Sequence, residues 1–223
     1  GAAGTVRTCG GMIVGGHTIR CAEPIFGLCV IGFVHPDRIW RKRGARVGDV
    51  LVLSKPLGTG VLLSAREPRY ERVAVRSMRT TNRLAADALN HLAVRPSAAT
   101  DISGYGLLGH GIEMASQSAV ALHVRWQDVP LLDGAREVAE RGIRTSAHRD
   151  SDHSLQPAAV EWGAGVTPAI RALLTDPQTS GGLLATVAST NVDSLMAKGF
   201  VAIGDVVERA AESAAAAPYI YVS

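Results

Sequence analysis

The sequence predicts an α+β sandwich, a sheet covered by helices. Two observations lead there. From residue 49 onward, strand-like and helix-like patterns alternate. The chain of 223 residues, 47% hydrophobic but only 4% aromatic, is long enough to bury a core that Val, Leu, Ile and Ala must build.

The elements follow in order. "GMIVGGHTI" reads as a short strand and a Gly-Gly turn, and "IFGLCVIGFV" (25–34) as a buried strand with Cys29 inside it. Two or three strands do not make a stable domain, so this region needs a sheet from elsewhere. The basic stretch 37–48 reads as a linker. "DVLVLS" is a strand. "TTNRLAADALNHLAV" is an amphipathic helix with Leu84, Ala88 and Leu92 on one stripe and Thr80 or Thr81 as N-cap. "LLGHGIEMAS" continues with Leu108, Ile112 and Ala115. In "VALHVRW", Val120, Leu122, Val124 and Trp126 share one face of a half-buried strand. "VTPAIRALL" starts with Thr167 as N-cap and Pro168 at the first helical position. "GGLLATV" is a strand, "TNVDSLMAKG" a helix closed by Gly199, and "FVAIGDV" and "YIYVS" are strands. The Ala-rich piece 208–218 reads as an exposed connector.

Charge and cysteine usage exclude several classes. The formal charge is +3, and "RIWRKRGAR" (38–46) is the single dense basic run, read as a solvated connector because a nucleic-acid site wants clustered cations and stacking aromatics. Cys9, Cys21 and Cys29 are odd in number and lack CxxC spacing, which argues for a reducing, cytoplasmic setting. The apolar run 25–34 is too short to span a bilayer, so no membrane partner is expected.

Four glycine-containing stretches are candidates for chemistry. "VGGHT" (14–18) offers bare backbone N–H groups beside His17, for a nucleotide or for a simple hairpin turn. "SKPLGTG" (54–60) has the outline of an anion-binding loop with Lys55, or of a Pro-Gly turn; it lacks the GK[ST] ending of a Walker A loop. "DISGYGLLGH" (101–110) puts Asp101 at a strand end before glycines and a helix start. That is part of a magnesium–phosphate site, or a turn before a capped helix. "DPQTSGG" (176–182) reads as a tight turn. "HRDSDH" (148–153) has two His and two Asp, but in a polar loop without cysteine it makes a poor zinc site. His110 and His123 read as ordinary satisfied side chains.

Taken in order, "VGGHTI…EPIFGLCVIGFV", "GDVLVLSKPLGTG", "ATDISGYGLLGHGIEM", "DPQTSGGLL" and "VAIGDV" resemble the selenophosphate synthetases (selenide, water dikinases), of the aminoimidazole ribonucleotide synthetase-like superfamily. The resemblance runs from about Gly10 to Val207. It implies that 1–40 is the tail end of an N-terminal ATP-binding and dimerisation domain, and 41–223 a C-terminal α/β domain. The implied reaction turns ATP, selenide and water into selenophosphate, phosphate and AMP, with magnesium required, potassium assisting and a homodimer as the working unit. By position, Asp101 matches a magnesium-binding Asp. Gly15, Gly16 and His17 match a nucleotide-contacting "GGH" that reaches the ATP of the partner subunit. No role transfers to Lys55, Asp176 or Ser180. The family's nucleophile region and further magnesium-binding aspartates have no counterpart here, Cys9 is no substitute, and "TSAHRD" (145–150) replaces a Gly-rich turn. Two other readings stand beside this one: a non-catalytic binding or assembly module, and an ATP-dependent enzyme of the same superfamily with another small substrate.

Overall fold

The computed structural model describes residues 1–145, 159–210 and 217–223. The zinc-like "HRDSDH" and most of the Ala-rich connector lie outside the described residues. The chain divides into two compact units, Gly1–Ile39 and Trp40–Ser223.

In the first unit a seven-residue helix, α1 (Ala2–Thr8), buries none of its residues. From Gly10 to Pro36 the chain forms no strand, and Met12, Val14, Phe26, Val30, Ile31 and Phe33 are exposed. The strands expected over residues 11–34 are therefore absent, and Cys29 is exposed rather than buried. The reason is pairing. Apolar pattern prepares a face, but a strand exists only when its N–H and C=O groups meet a neighbouring ladder, and none is formed here among the described residues.

The second unit is built on a seven-stranded mixed sheet. Its strands are β1 (Val50–Leu53), β2 (Ala98–Asp101), β3 (Ala121–Val124), β4 (Val160–Trp162), β5 (Leu183–Val187), β6 (Val201–Val207) and β7 (Ile220–Val222), in the order β2-β5-β1-β6-β3-β7-β4. Pairings are antiparallel from β2 to β3 and parallel for β3–β7 and β7–β4. Side-chain alternation sends Leu51, Leu53 and Leu184 to one core and Val52, Ala185 and Val187 to another. The larger core is covered by α2 (Thr59–Ser64), α3 (Pro68–Arg79), α5 (Gly106–Ser118), α6 (Ala135–Glu140) and α7 (Pro168–Leu174). The smaller is covered by α4 (Arg83–Asn90) and α8 (Val192–Met196). The aliphatic sandwich follows from this division, because β1, β2 and β5 bury residues on both of their faces.

Local signals held where they were strong. The Thr167 hydroxyl accepts the Ile170 N–H at 3.3 Å, with Pro168 at the first turn of α7. Leu122 and Val124 are buried in the larger core, with Trp126 packed against it. Three expectations need correction. The helix after residue 80 starts only at Arg83, because Thr80 ends α3 in an extended conformation. That start leaves Leu84 81% exposed and buries Leu89 instead, beside Ala88 and Leu92. The basic run is no solvated connector either. The Arg41 carbonyl accepts the Ala99 N–H, Trp40 packs on the smaller core, and Lys42 pairs with Glu113 at 2.6 Å. Finally, α2 and α3 were not anticipated. Pro68 at the first turn, with Tyr70, Val73, Ala74 and Ser77 at helical spacing, was the signal for α3.

Gly204 sits in β6 opposite Val124, where a Cβ would collide with the His123 carbonyl of β3. Gly204→Ala is expected to lower stability by about 2 kcal/mol in urea denaturation, because two central strands must move apart. A change below about 0.5 kcal/mol, the scale of surface substitutions, contradicts this packing.

Candidate functional site

Strand β2 ends on Asp101, which pairs in register with Leu183 of β5. Burial stops there: Ala98, Ala99 and Thr100 are inside, whereas Asp101 is exposed. Its carboxylate makes no hydrogen bond or ion pair with any described residue. The chain then turns through Ser103–Tyr105 into α5. Gly106 has φ +66°, and a Cβ there would lie 2.7 Å from the Thr175 carbonyl, so only glycine fits this entry. A Cβ at Gly104 would meet open space. Tyr105, at the N-cap, makes no side-chain capping bond, so the turn is not simply the start of a capped helix.

His110, one turn into α5, ties this loop down. Its Nε2 accepts the Ser103 N–H at 3.1 Å, and the Ser103 hydroxyl lies 3.0 Å from the same nitrogen. Glu113 stands 3.8 Å from Nδ1. The row Ser103–His110–Glu113 has the outline of a nucleophile triad, but the geometry denies it that chemistry. The Nε2 lone pair already serves a backbone N–H, and Glu113 is held by Lys42. Burial, reinforced by the Lys42 charge, lowers the His110 pKa against the opposing pull of Asp101 and Glu113, so the ring is neutral. His110 is a structural histidine rather than a catalytic base, but the fully satisfied side chain expected from the sequence is not found, because its buried Nδ1 has no hydrogen-bond partner.

The loop after α7 performs a different task from the turn it was expected to be. Gln178 Oε1 accepts the N–H groups of Gly58 and Thr59 at 3.2 and 3.3 Å, and Asp176 Oδ2 accepts the Gly60 N–H at 2.9 Å. These amides open α2, so "DPQTSGG" caps that helix from across the fold. The same bonds take the helix-start amides of "SKPLGTG" out of any anion-binding role, because those amides already have protein acceptors. Asp176 is fully buried and its Oδ1 has no hydrogen-bond partner. Burial pushes its pKa up to about 7, against the pull of the Val61 N–H, the Gln178 amide and the Gly60 N–H. Lys55 donates to the carbonyls of Thr80 and Ser180, at 2.5 and 2.8 Å, and Asn82 donates to the Gly181 carbonyl at 2.8 Å. The end of β1, the end of α3 and the 176–182 loop are thereby knotted together.

Gly15, Gly16 and His17 belong to the first unit, where all three are exposed in chain without regular structure, and a Cβ on either glycine would meet open space. Among the described residues no three His, Cys, Asp or Glu side chains cluster as a metal site. No helix among them is long and apolar enough to cross a membrane.

A family model for the AIR synthase related protein C-terminal domain matches residues 46–214. The chain belongs to the AIR synthase related proteins. Curated relatives are named selenide, water dikinase. One, from Burkholderia pseudomallei, is 40% identical over 89% of this chain and 59% of its own length, and one from Pelobacter propionicus is 41% identical over 86% and 56%. A third, "Selenide, water dikinase 2" from Peptoclostridium acidaminophilum, is 38% identical over 89% and 57%. The chain thus spans somewhat over half the length of these relatives. Among solved structures, thiamine-monophosphate kinase from Stenotrophomonas maltophilia superposes with TM-score 0.56 at 21% identity, covering 85% of this chain and 54% of that one. The hydrogenase maturation protein HypE in complex with ATP superposes with TM-score 0.55 at 19% identity, covering 85% and 52%. At such identities these two share the fold. In this AIR synthase related domain, Asp176 and Gln178 were the working residues that sequence reasoning passed over. Their signal was an Asp-Pro turn carrying more hydrogen-bonding side chains than a turn requires.

Proposed function

We propose that this chain is the C-terminal part of a selenide, water dikinase, which converts ATP, selenide and water into selenophosphate, phosphate and AMP. The names of the curated relatives support the reaction. The observation that carries the site is the contrast between two acids. Asp176 spends its carboxylate inside the fold, whereas Asp101 presents a free one at a sheet edge beside an open glycine turn.

One carboxylate fits magnesium, which keeps waters and phosphate oxygens as most of its ligands, and does not fit zinc. Bound there, magnesium would neutralise developing charge on the transferred phosphoryl group. Asp101 would hold that ion, and the 103–106 turn, fixed by His110, would keep the carboxylate aimed outward. The uncovered amides of Gly15 and Gly16, with His17, would approach the nucleotide across a homodimer; potassium and a cytoplasmic setting belong to the same reading.

The test is product analysis. With the full-length enzyme, AMP should accumulate from ATP only when selenide is supplied. ATP turnover that stops at ADP, or ignores selenide, contradicts the assignment.

A further inference from the structure

Lys55 raises a problem that the proposed reaction does not solve. The residue is 8% exposed, yet its described partners are two neutral carbonyls. No carboxylate among the described residues pairs with it. An ammonium withdrawn from water without a counter-ion is costly, and burial accordingly lowers its pKa.

The same residue lines a cavity of about 420 Å³ walled by the end of β1, one face of α3 and the 131–133 segment. Arg76 of α3 lines it too, and likewise has no ion pair among the described residues. Nearby arginines differ: Arg69 and Arg141 are neutralised by Glu67, and Arg69 also by Glu137. Arg72 and Arg79 extend the unpaired row along α3, on a surface that Arg76 shares with the cavity. Asp133 lines the cavity as well but pairs with neither cation. Val73, Leu131 and Leu132 supply an apolar wall.

We propose that this cavity binds a phosphorylated small molecule, its phosphate between Lys55 and Arg76 and its apolar body against Val73, Leu131 and Leu132. The volume is that of a small-ligand site. A phosphate's charge and oxygens suit a compact ammonium and a forked guanidinium together. The two carbonyls hold Lys55 in place and leave its third N–H for the ligand.

Calorimetric titration of the 223-residue chain with phenyl phosphate, inorganic phosphate and benzoate, without nucleotide or magnesium, tests this independently of the selenide reaction. Phenyl phosphate should bind saturably and more tightly than either other probe. Arg76→Gln, at an exposed position that leaves the fold intact, should weaken it at least about tenfold, whereas Arg69→Gln should leave it unchanged. Absence of saturable binding, equal effects of the two variants, or benzoate binding as tightly as phenyl phosphate would overturn the assignment. Inorganic phosphate binding as tightly as phenyl phosphate would remove the apolar contacts from it.

Discussion

Asp101→Asn should cut magnesium-dependent turnover of the full-length enzyme by at least about 100-fold while moving Tm by less than about 2 °C. The activity loss follows from charge. Asn keeps an oxygen but not the negative charge that holds magnesium against its water shell. The small stability change follows from position. Asp101 is exposed, its side chain makes no described hydrogen bond, and its backbone pairing with Leu183 is untouched. AMP formation at a series of magnesium concentrations, beside a thermal melt, measures both. Turnover within threefold of the parent at every magnesium concentration would sink the ligand role, and a large Tm loss would make Asp101 a structural carboxylate instead.

Asp176→Asn should do the opposite, changing how stability depends on pH. The folded carboxyl has a pKa near 7, above its ordinary value. The folded state therefore binds the proton more tightly than the unfolded one. That contribution is fully present below about pH 4 and is lost as pH rises through 7. The parent should thus weaken between pH 4 and 8 by a few kcal/mol, the size implied by such a shift. An Asn side chain does not titrate; its amide oxygen still takes the Gly60 N–H and the Gln178 amide. Its fixed cost is an amide donor where Oδ1 had no partner, about 1–3 kcal/mol. The variant should be the weaker protein at pH 4 and should close or reverse the gap by pH 8. Urea midpoints at those two pH values measure it. A pH-independent difference between the two proteins would show that Asp176 is ionised throughout.

The contrast between these acids shows what was legible. Both stand beside a glycine-rich turn, and the local pattern treats them alike. Asp101 was recognisable as an acid before a helix start because the apolar spacing of Leu108, Ile112 and Ala115 marks α5 just after it. Period-two alternation marked β3, short apolar runs marked β1, β5 and β6, and the Thr167–Pro168 start marked α7. Such signals are local, written within a few residues of where they act. The N-terminal pattern was equally clear, yet 11–34 form no strand, because a ladder needs a partner that periodicity cannot supply.

The sequence by itself determined the aliphatic two-faced sheet, its covering helices and the presence of an acid before the 103–106 turn. Tertiary structure decided which carboxylate stays free. Asp176 reaches Gly60 across 116 residues of chain, and Lys55 reaches Ser180 across 125. A polar side chain's role depends on the donor or acceptor that folding brings to it, and that neighbour comes from a distant part of the chain.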